Sequence, residues 1–195
     1  MRSLRSVTGP VAVLDRPDVD TDQIIPKQFL KRIERAGYGE FLFFDWMKDP
    51  EFELHRAPGA SILLAGRNFG CGSSREHAAW ALEDSGFRAV LAPSFGDIFR
   101  QNAINSGLAP VVVAADQLAE LKQAVARRNE LTVDLGALRI AHPDGLVLEF
   151  DFDPHAQETL VNGLDDIART LERVDEIDAY ERGHEARYDV RALSV

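Results

Sequence analysis

Two hydroxyl groups and a guanidinium follow a glycine-rich stretch in this chain. The residues concerned are Gly66, Gly70, Gly72, Ser73, Ser74 and Arg75. Glycine lets backbone amides approach a bound group closely, and a guanidinium adds a full positive charge. Amides, hydroxyls and a cation at one point of the chain are typical of an anion site. The stretch therefore predicts binding of a negatively charged ligand, with a carboxylate as the favoured group.

The elements around this stretch are predicted to be a strand, a tight loop and a helix. Residues 61–65 form a short apolar run, and residues 78–82 carry Ala, Leu and Trp at helical spacing. Ser73 and Glu76 stand three apart, the spacing of a capping box, which predicts that Ser73 caps the helix. The unpaired amides of a helix amino terminus also favour anions. The loop and the start of the helix would thus meet the ligand together.

Two simpler interpretations of the loop stay open at this point. In the first, the serines only cap the helix and Arg75 is a solvated surface residue. In the second, the loop binds phosphate. The P-loop spacing fails, because no Gly-Lys-Ser/Thr follows the glycines, and the dinucleotide fingerprint fails as well. On spacing alone the loop is an anion site of unknown purpose.

Size and composition exclude several classes of protein. The 195 residues predict one domain, residues 1–195, and 45% hydrophobic with 28% charged residues is ordinary for a soluble protein. A net charge of −10 argues against a nucleic-acid partner, and no apolar run is long enough to span a bilayer. The single cysteine, Cys71, indicates a reducing compartment, and we expect a cytoplasmic protein. One thiol cannot hold an iron–sulfur cluster or a structural zinc, so no metal site is expected on this chain.

The order of elements predicts an α/β fold. Strands and helices alternate through the middle third of the chain, which is typical of a parallel sheet, and three short antiparallel strands follow. The fold class is a mixed, mostly parallel sheet flanked by helices. Particular predictions are a first strand over 9–14, a short core helix over the aromatic run 41–47, a helix capped by Asp116, a helix from Asp153-Pro154 that breaks at Gly163, and a tail over 183–195 without clear periodicity.

Three aspartates alternate in an early loop: Asp18, Asp20 and Asp22. The pattern invites a calcium site, but the glycine and the distal glutamate of an EF-hand are out of register. Carboxylates this close repel one another unless water or a cation separates them. We expect turns that these side chains cap, with calcium as a minor alternative.

Several ordered motifs of the chain resemble those of a known family. Residues 70–78 (GCGSSREHA) resemble the signature of the swivelling domain of the aconitase superfamily, and residues 20–26 (DTDQIIP) with 29–31 resemble its companion motif. Residues 95–99, with Asn102, Asn105 and Gly107, are similar to a third motif. The likeness is nearest to the small-subunit family of 3-isopropylmalate dehydratase, in which residues 164–167 also have a counterpart. The resemblance implies a swivelling β/β/α domain.

The resemblance also implies a reaction and a partner. Enzymes of this family are hydro-lyases that convert 2-isopropylmalate into 3-isopropylmalate through 2-isopropylmaleate, in leucine biosynthesis. The superfamily uses an open iron of a [4Fe–4S] cluster as the Lewis acid for hydroxide departure. With one cysteine, this chain is expected to bind no cofactor and to be active only with a cluster-bearing large subunit. The substrate would be a small hydroxy-diacid.

The resemblance assigns roles residue by residue. Ser73 would be the catalytic base, Arg75 would bind a substrate carboxylate, and Asp22 would orient an acid/base group of the partner. Ser74 would help bind the oxyanion, and Gly72 would also bind the substrate. Lys31 and Arg32 would bind the substrate from the basic loop. His77 is expected to pack locally, and Cys71 to be a filler of the glycine loop.

Two rival functions remain open in the sequence. The first is a sister hydro-lyase acting on homoaconitate, citraconate or dimethylmalate. The segment 31–38 should discriminate, because Ile33 and Tyr38 could offer apolar surface to an isopropyl group. The second is a non-catalytic anion-binding or assembly module.

Overall fold

The strands of the protein form two four-stranded sheets in a computed structural model, which describes residues 1–31, 35–164 and 166–183. In chain order the strands are β1 (Ser6–Gly9), β2 (Val11–Leu14), β3 (Ile62–Ala65), β4 (Ala89–Ala92), β5 (Ala109–Val112), β6 (Leu131–Asp134), β7 (Arg139–Ala141) and β8 (Val147–Glu149). Strands β2 to β5 lie side by side and parallel. Strands β1, β6, β7 and β8 form the second, antiparallel sheet.

The predicted first strand, 9–14, is divided between the two sheets. Pro10 separates β1, which pairs with β6, from β2, which pairs with β3. Proline has no N–H to donate to a ladder, so a strand is easily interrupted there. The Pro10 carbonyl still accepts a hydrogen bond from the Ser61 amide at 3.0 Å, which aligns the start of β2 with β3.

The helices after the first follow the predicted order, whereas the first, Thr21–Ile24, lies where the sequence predicts a loop. The helices are α1 (Thr21–Ile24), α2 (Glu76–Asp84), α3 (Asp97–Ser106), α4 (Ala115–Arg127), α5 (Pro154–Asn162), α6 (Asp166–Leu171) and α7 (Val174–Gly183). Helix α5 begins at Pro154, is capped by the Asp153 carboxylate, and ends at Gly163 with φ +71°, as predicted. The prediction that Asp116 caps α4 is wrong. Helix α4 begins two residues earlier than a cap at Asp116 would require, since its N-cap is Ala114, and the Gln117 side chain accepts a hydrogen bond from the Ala114 N–H at 2.9 Å.

The aromatic run is in the core, but it is not an α-helix. It contains two short 3-10 turns, Gly39–Phe41 and Trp46–Lys48, separated by Phe43 at φ +49°. A left-handed residue interrupts a right-handed helix. The Phe43 ring is fully buried and stacks on Trp46 at a centroid distance of 5.5 Å. Packing of these rings therefore decides the local backbone.

The parallel sheet lies between two hydrophobic clusters. Leu63 and Val90 belong to the cluster that contains the buried faces of α2 and α3 and the aromatic run. Leu64 and Leu91 belong to the cluster that contains α4, α5 and the antiparallel sheet. Strands β3 and β4 are buried at every residue for this reason. The β/β/α fold class is confirmed, although the antiparallel strands form a sheet of their own.

The chain divides into two compact units, residues 1–163 and residues 164–195. The described part of the second unit contains α6 and α7. The predicted tail lies outside the described residues beyond Gly183, and the assignment of 1–195 to one domain stays a prediction. Among the helices that the structure describes, none combines the length and the hydropathy that crossing a membrane demands.

Candidate active site

The glycine-rich loop follows β3 and contacts the amino terminus of α1. The Thr21 N–H donates to the Cys71 carbonyl at 2.9 Å, and the Gly70 N–H donates to the Val19 carbonyl at 2.8 Å. These bonds join segments about 50 residues apart in the sequence. Two motifs that are separate in the sequence are therefore in contact in the folded chain.

Gly70 and Gly72 are both required by the geometry of this loop. Their φ angles are +73° and +91°, in the left-handed region that favours glycine. A Cβ at position 70 would lie 2.2 Å from the Phe99 ring, and a Cβ at position 72 would lie 2.2 Å from the Asp20 carboxylate. The loop can therefore pass close to both α1 and α3 only because these positions lack side chains.

Replacing Gly70 by alanine is expected to lower the free energy of unfolding by about 3 kcal/mol. A left-handed alanine costs roughly 1–2 kcal/mol, and pressing a methyl into the buried Phe99 ring adds a comparable amount. Gly59→Ala is the matched control, because its φ of +72° is nearly the same and its Cβ would meet no atom within 4 Å. It should cost about 1 kcal/mol. Urea unfolding of both variants measures the difference, and equal losses would contradict the packing argument.

Ser73 does not cap α2, so that prediction is wrong. The helix begins at Glu76, and its N-cap is Arg75, an extended residue that makes no side-chain capping bond. The loop continues two residues further than the capping-box spacing indicates. As a consequence, the Ser73 and Ser74 side chains are exposed, and the Ser73 hydroxyl has no hydrogen-bond partner among the described residues.

The backbone N–H groups around Ser73 and Ser74 also lack hydrogen-bond acceptors among the described residues. Within the described part of the chain, the amides of residues 72–77 donate no hydrogen bond. The helix dipole places partial positive charge at the same point. Free amides, exposed hydroxyls and the helix start are together the arrangement that the sequence predicts for an anion site.

Arg75 is paired with Asp22 through two hydrogen bonds. Its Nη2 donates to Asp22 Oδ2 at 2.8 Å, and its Nη1 donates to Asp22 Oδ1 and, at 3.4 Å, to the Ile25 carbonyl. The Arg75 side chain is only 12% exposed, which rules out the solvated-surface interpretation. The hydrogen bond from Arg75 is the main cause that lowers the pKa of the Asp22 carboxyl below its ordinary value of 3.8.

The other two aspartates have different partners. Asp18 accepts from Arg67 at 3.1 Å and from Asn68 at 2.9 Å. Asp20 caps α1 by accepting from the Asp22 N–H at 2.7 Å. Two of the three carboxylates, those of Asp18 and Asp22, are therefore each neutralised by an arginine. The residues that the structure describes include no group of three or more His, Cys, Asp or Glu side chains able to hold a metal ion.

The predicted substrate-reading loop is described only in part. Lys31 is exposed at the end of the 3-10 turn Lys27–Lys31 and forms no ion pair with the described residues. Arg32 and Ile33 lie outside the described residues. The structure thus leaves the roles of both cations as predictions.

Tyr38 is buried within this chain, which contradicts the prediction that it offers apolar surface to a ligand. The ring is fully buried, 5.1 Å from the His77 ring and 5.7 Å from the Trp80 ring between centroids. It anchors the end of the loop against α2. His77 packs locally as predicted, and burial lowers its pKa.

Two contributors to the site carry no recognisable pattern in the sequence. The Thr21 hydroxyl donates to the Ser73 carbonyl at 3.0 Å, and the Ile25 carbonyl contacts Arg75. Both bonds join residues at least 50 positions apart, and backbone carbonyls have no sequence signature.

Cys71 is half-buried, and burial raises the pKa of its thiol, which opposes formation of a reactive thiolate.

Known proteins are similar to this chain in sequence and in fold. Residues 1–116 match the family model of the aconitase C-terminal domain. The 3-isopropylmalate dehydratase small subunit of Bacillus velezensis is 52% identical over 190 residues, covering 93% of this chain and 96% of the relative. That of Koribacter versatilis is 51% identical over 195 residues, covering 94% and 100%. The chain belongs to the 3-isopropylmalate dehydratase small-subunit family.

A solved structure supports membership in this small-subunit family at the level of the fold. The crystal structure of 3-isopropylmalate dehydratase from Methanocaldococcus jannaschii superposes with a TM-score of 0.67 and 26% identity, covering 90% of this chain and 99% of that chain. The resemblance drawn from residues 20–31, 70–78 and 95–107 is therefore confirmed. The aconitase-type fold and the hydro-lyase class of the dehydratase family are confirmed with it.

Proposed function

We propose that this chain is the proton-handling subunit of a 3-isopropylmalate dehydratase, which interconverts 2-isopropylmalate and 3-isopropylmalate in leucine biosynthesis. Family membership over nearly the whole chain supports the reaction. The observation that carries the proposed chemistry is the exposed Ser73 hydroxyl, without a partner among the described residues, in the loop that leads to the free amides of α2 and to Arg75, whose guanidinium Asp22 holds.

The reaction needs two kinds of assistance. A proton must leave the carbon beside a carboxylate, which requires a base and donors that stabilise the developing negative charge. Hydroxide must leave the neighbouring carbon, which requires a Lewis acid. The residues of this chain fit the first task.

Ser73 acts as the base in this proposal. A serine hydroxyl is a weak base unless its pKa is lowered, and no His–Asp pair assists it among the described residues. The amides at the start of α2 and the positive charge of Arg75 favour the alkoxide instead. Ser74 and the Gly72 backbone, both exposed next to Ser73, donate to the oxyanion of the substrate carboxylate.

Arg75 binds a carboxylate of the substrate and is held in place by Asp22. The bonds to Asp22 and Ile25 leave Nε–H and one Nη2 hydrogen without an acceptor among the described residues. Those donors are available for a second carboxylate. Asp22 is 49% exposed at the edge of the site, which supports contact with a partner's acid/base group as well.

The Lewis acid belongs to another subunit. The aconitase family implies an iron–sulfur cluster, and the single Cys71 does not fit a cluster that several thiolates must ligate. The large subunit implied by the family name therefore carries the [4Fe–4S] cluster, which supplies the Lewis acid for hydroxide departure.

Lys31 and Arg32 are the cations proposed to bind the hydroxy-diacid. One cysteine in the whole chain supports a reducing compartment, the cytoplasm.

Reconstitution with the cluster-loaded large subunit tests this function. Each chain alone should be inactive, and the pair should turn over 2-isopropylmalate with a kcat/KM about 100-fold above homoaconitate, citraconate and dimethylmalate, since enzymes discriminate between apolar substrate groups by roughly that factor. Preference for one of the other diacids would overturn the substrate assignment. A complex that forms with a loaded cluster and turns over none of them would identify a non-catalytic module.

A further inference from the structure

We propose that Thr21 is a positioning residue that holds the Ser73 backbone, and through it the Ser73 hydroxyl, in the reactive orientation. The inference rests on the proposed function, because it assigns Thr21 a role in the same proton transfer. Thr21 does not touch the substrate in this proposal. It acts through the peptide of the residue that does.

The Thr21 side chain is buried and has one good acceptor. It is 1% exposed, and a buried hydroxyl is costly unless it is hydrogen-bonded. Its single proton is donated to the Ser73 carbonyl at 3.0 Å, since the contact with Asp20 Oδ1 at 3.4 Å is long. Helix α1 does not need this bond, because its amino terminus is already capped by Asp20 and Gln23. The Thr21 hydroxyl therefore stabilises the loop and is not needed to cap its own helix.

Thr21 holds the loop at two points. Its N–H donates to the Cys71 carbonyl and its hydroxyl donates to the Ser73 carbonyl, so the two bonds lie on either side of Gly72. The Asp20 carboxylate fills the space that a Cβ of Gly72 would occupy. Thr21, the first residue of α1, and Asp20, its N-cap, thus contact three consecutive residues of the loop, 71–73.

The Ser73 carbonyl has no other described partner. The loop from Gly72 to Arg75 is outside any helix or strand, and its amides donate no hydrogen bond within the described residues. Loss of the Thr21 bond would free the Ser73 peptide to rotate beside Gly72, whose φ of +91° is in the glycine-favoured region. A base displaced by about 1 Å loses roughly 10²-fold in rate.

The test uses the reconstituted two-subunit enzyme with 2-isopropylmalate. Thr21→Val keeps the shape of the side chain and removes the donor, and it should lower kcat by about 10²-fold while KM changes less than about twofold. Thr21→Ser keeps the donor and loses a buried methyl, so it should recover most of kcat. Thr21→Ala lacks both groups, and its comparison with Thr21→Ser decides the question if Thr21→Val does not fold.

A kinetic isotope effect separates positioning from general loss of stability. In Thr21→Val, proton removal becomes slower. The deuterium isotope effect on kcat should therefore rise, when it is measured with substrate labelled at the carbon that loses the proton. The control is Thr159→Val, which changes another buried threonine, on α5 beside the opposite hydrophobic cluster, and should leave kcat and the isotope effect unchanged.

The outcomes distinguish this inference from the proposed function. A wild-type pair without turnover defeats the function itself. If the wild-type pair is active, wild-type kcat in Thr21→Val overturns the positioning role. Equal losses of kcat in Thr21→Ser and Thr21→Ala overturn it as well, because the hydroxyl would then be irrelevant.

Discussion

Ser73→Ala in the reconstituted enzyme is expected to lower kcat by about 10³-fold, with KM changed by less than about threefold. The variant removes the proton acceptor and leaves the carboxylate-binding groups in place. It should cost the fold less than about 0.5 kcal/mol, because the hydroxyl is exposed and has no hydrogen-bond partner in the described structure. Initial rates at saturating 2-isopropylmalate measure the loss, and urea unfolding of the chain measures its stability.

Ser6→Ala is the matched control for this prediction. Ser6 is an exposed serine on β1, in the antiparallel sheet, and its replacement should leave kcat and assembly unchanged. A Ser73→Ala enzyme that assembles with the large subunit and keeps wild-type turnover would remove Ser73 from the role of base. The anion-binding interpretation of the loop would then be the better one.

Arg75→Lys is expected to raise KM for 2-isopropylmalate about 100-fold, with a smaller effect on kcat. Lysine keeps the charge but cannot hold Asp22 through two N–H groups and present further donors to a substrate carboxylate at the same time. Charge-assisted hydrogen bonds contribute roughly 1.5–3 kcal/mol each, so loss of this geometry is large on the scale of substrate binding. Steady-state kinetics over a wide substrate range separates the two parameters.

Arg88→Lys is the appropriate comparison for Arg75→Lys. Arg88 has similar side-chain exposure, 19%, and is paired with Glu83 through one hydrogen bond of 2.8 Å, but it lies in the loop between α2 and β4. Its replacement should cost some stability and leave KM unchanged. If Arg75→Lys instead lowered kcat at constant KM, binding of the substrate carboxylate by Arg75 would be contradicted, and only its effect on the Ser73 alkoxide would remain.

Local rules predict much of the secondary structure. Gly107 and Gly163 end helices at φ +88° and +71°, and Asp153-Pro154 begins one, because these effects involve residues adjacent in sequence. The alternation of strands and helices predicts the parallel sheet, because parallel strands need a crossover connection between them and a helix usually supplies it. Predictions fail where long-range packing decides the backbone, as at Phe43 and at Pro10.

The composition of the site can be read from the sequence, whereas its connections cannot. Glycines, hydroxyls and a cation at residues 70–75 indicate an anion site by their types and spacing alone. The same spacing also suggests that Ser73 caps the helix. In the folded chain α1 holds the loop in an extended path, so the helix begins at Glu76 and the serine stays uncommitted.

The amino-acid sequence by itself determined the family, the order of elements and the chemical groups of the site, since these depend on residue types and short spacings. Only the tertiary structure decided the pairing of Arg75 with Asp22, the bond from Thr21 to Ser73 and the burial of Tyr38. The physical reason is distance along the chain. Hydrogen bonds and ring contacts between residues tens of positions apart form only when the two hydrophobic clusters pack around the parallel sheet.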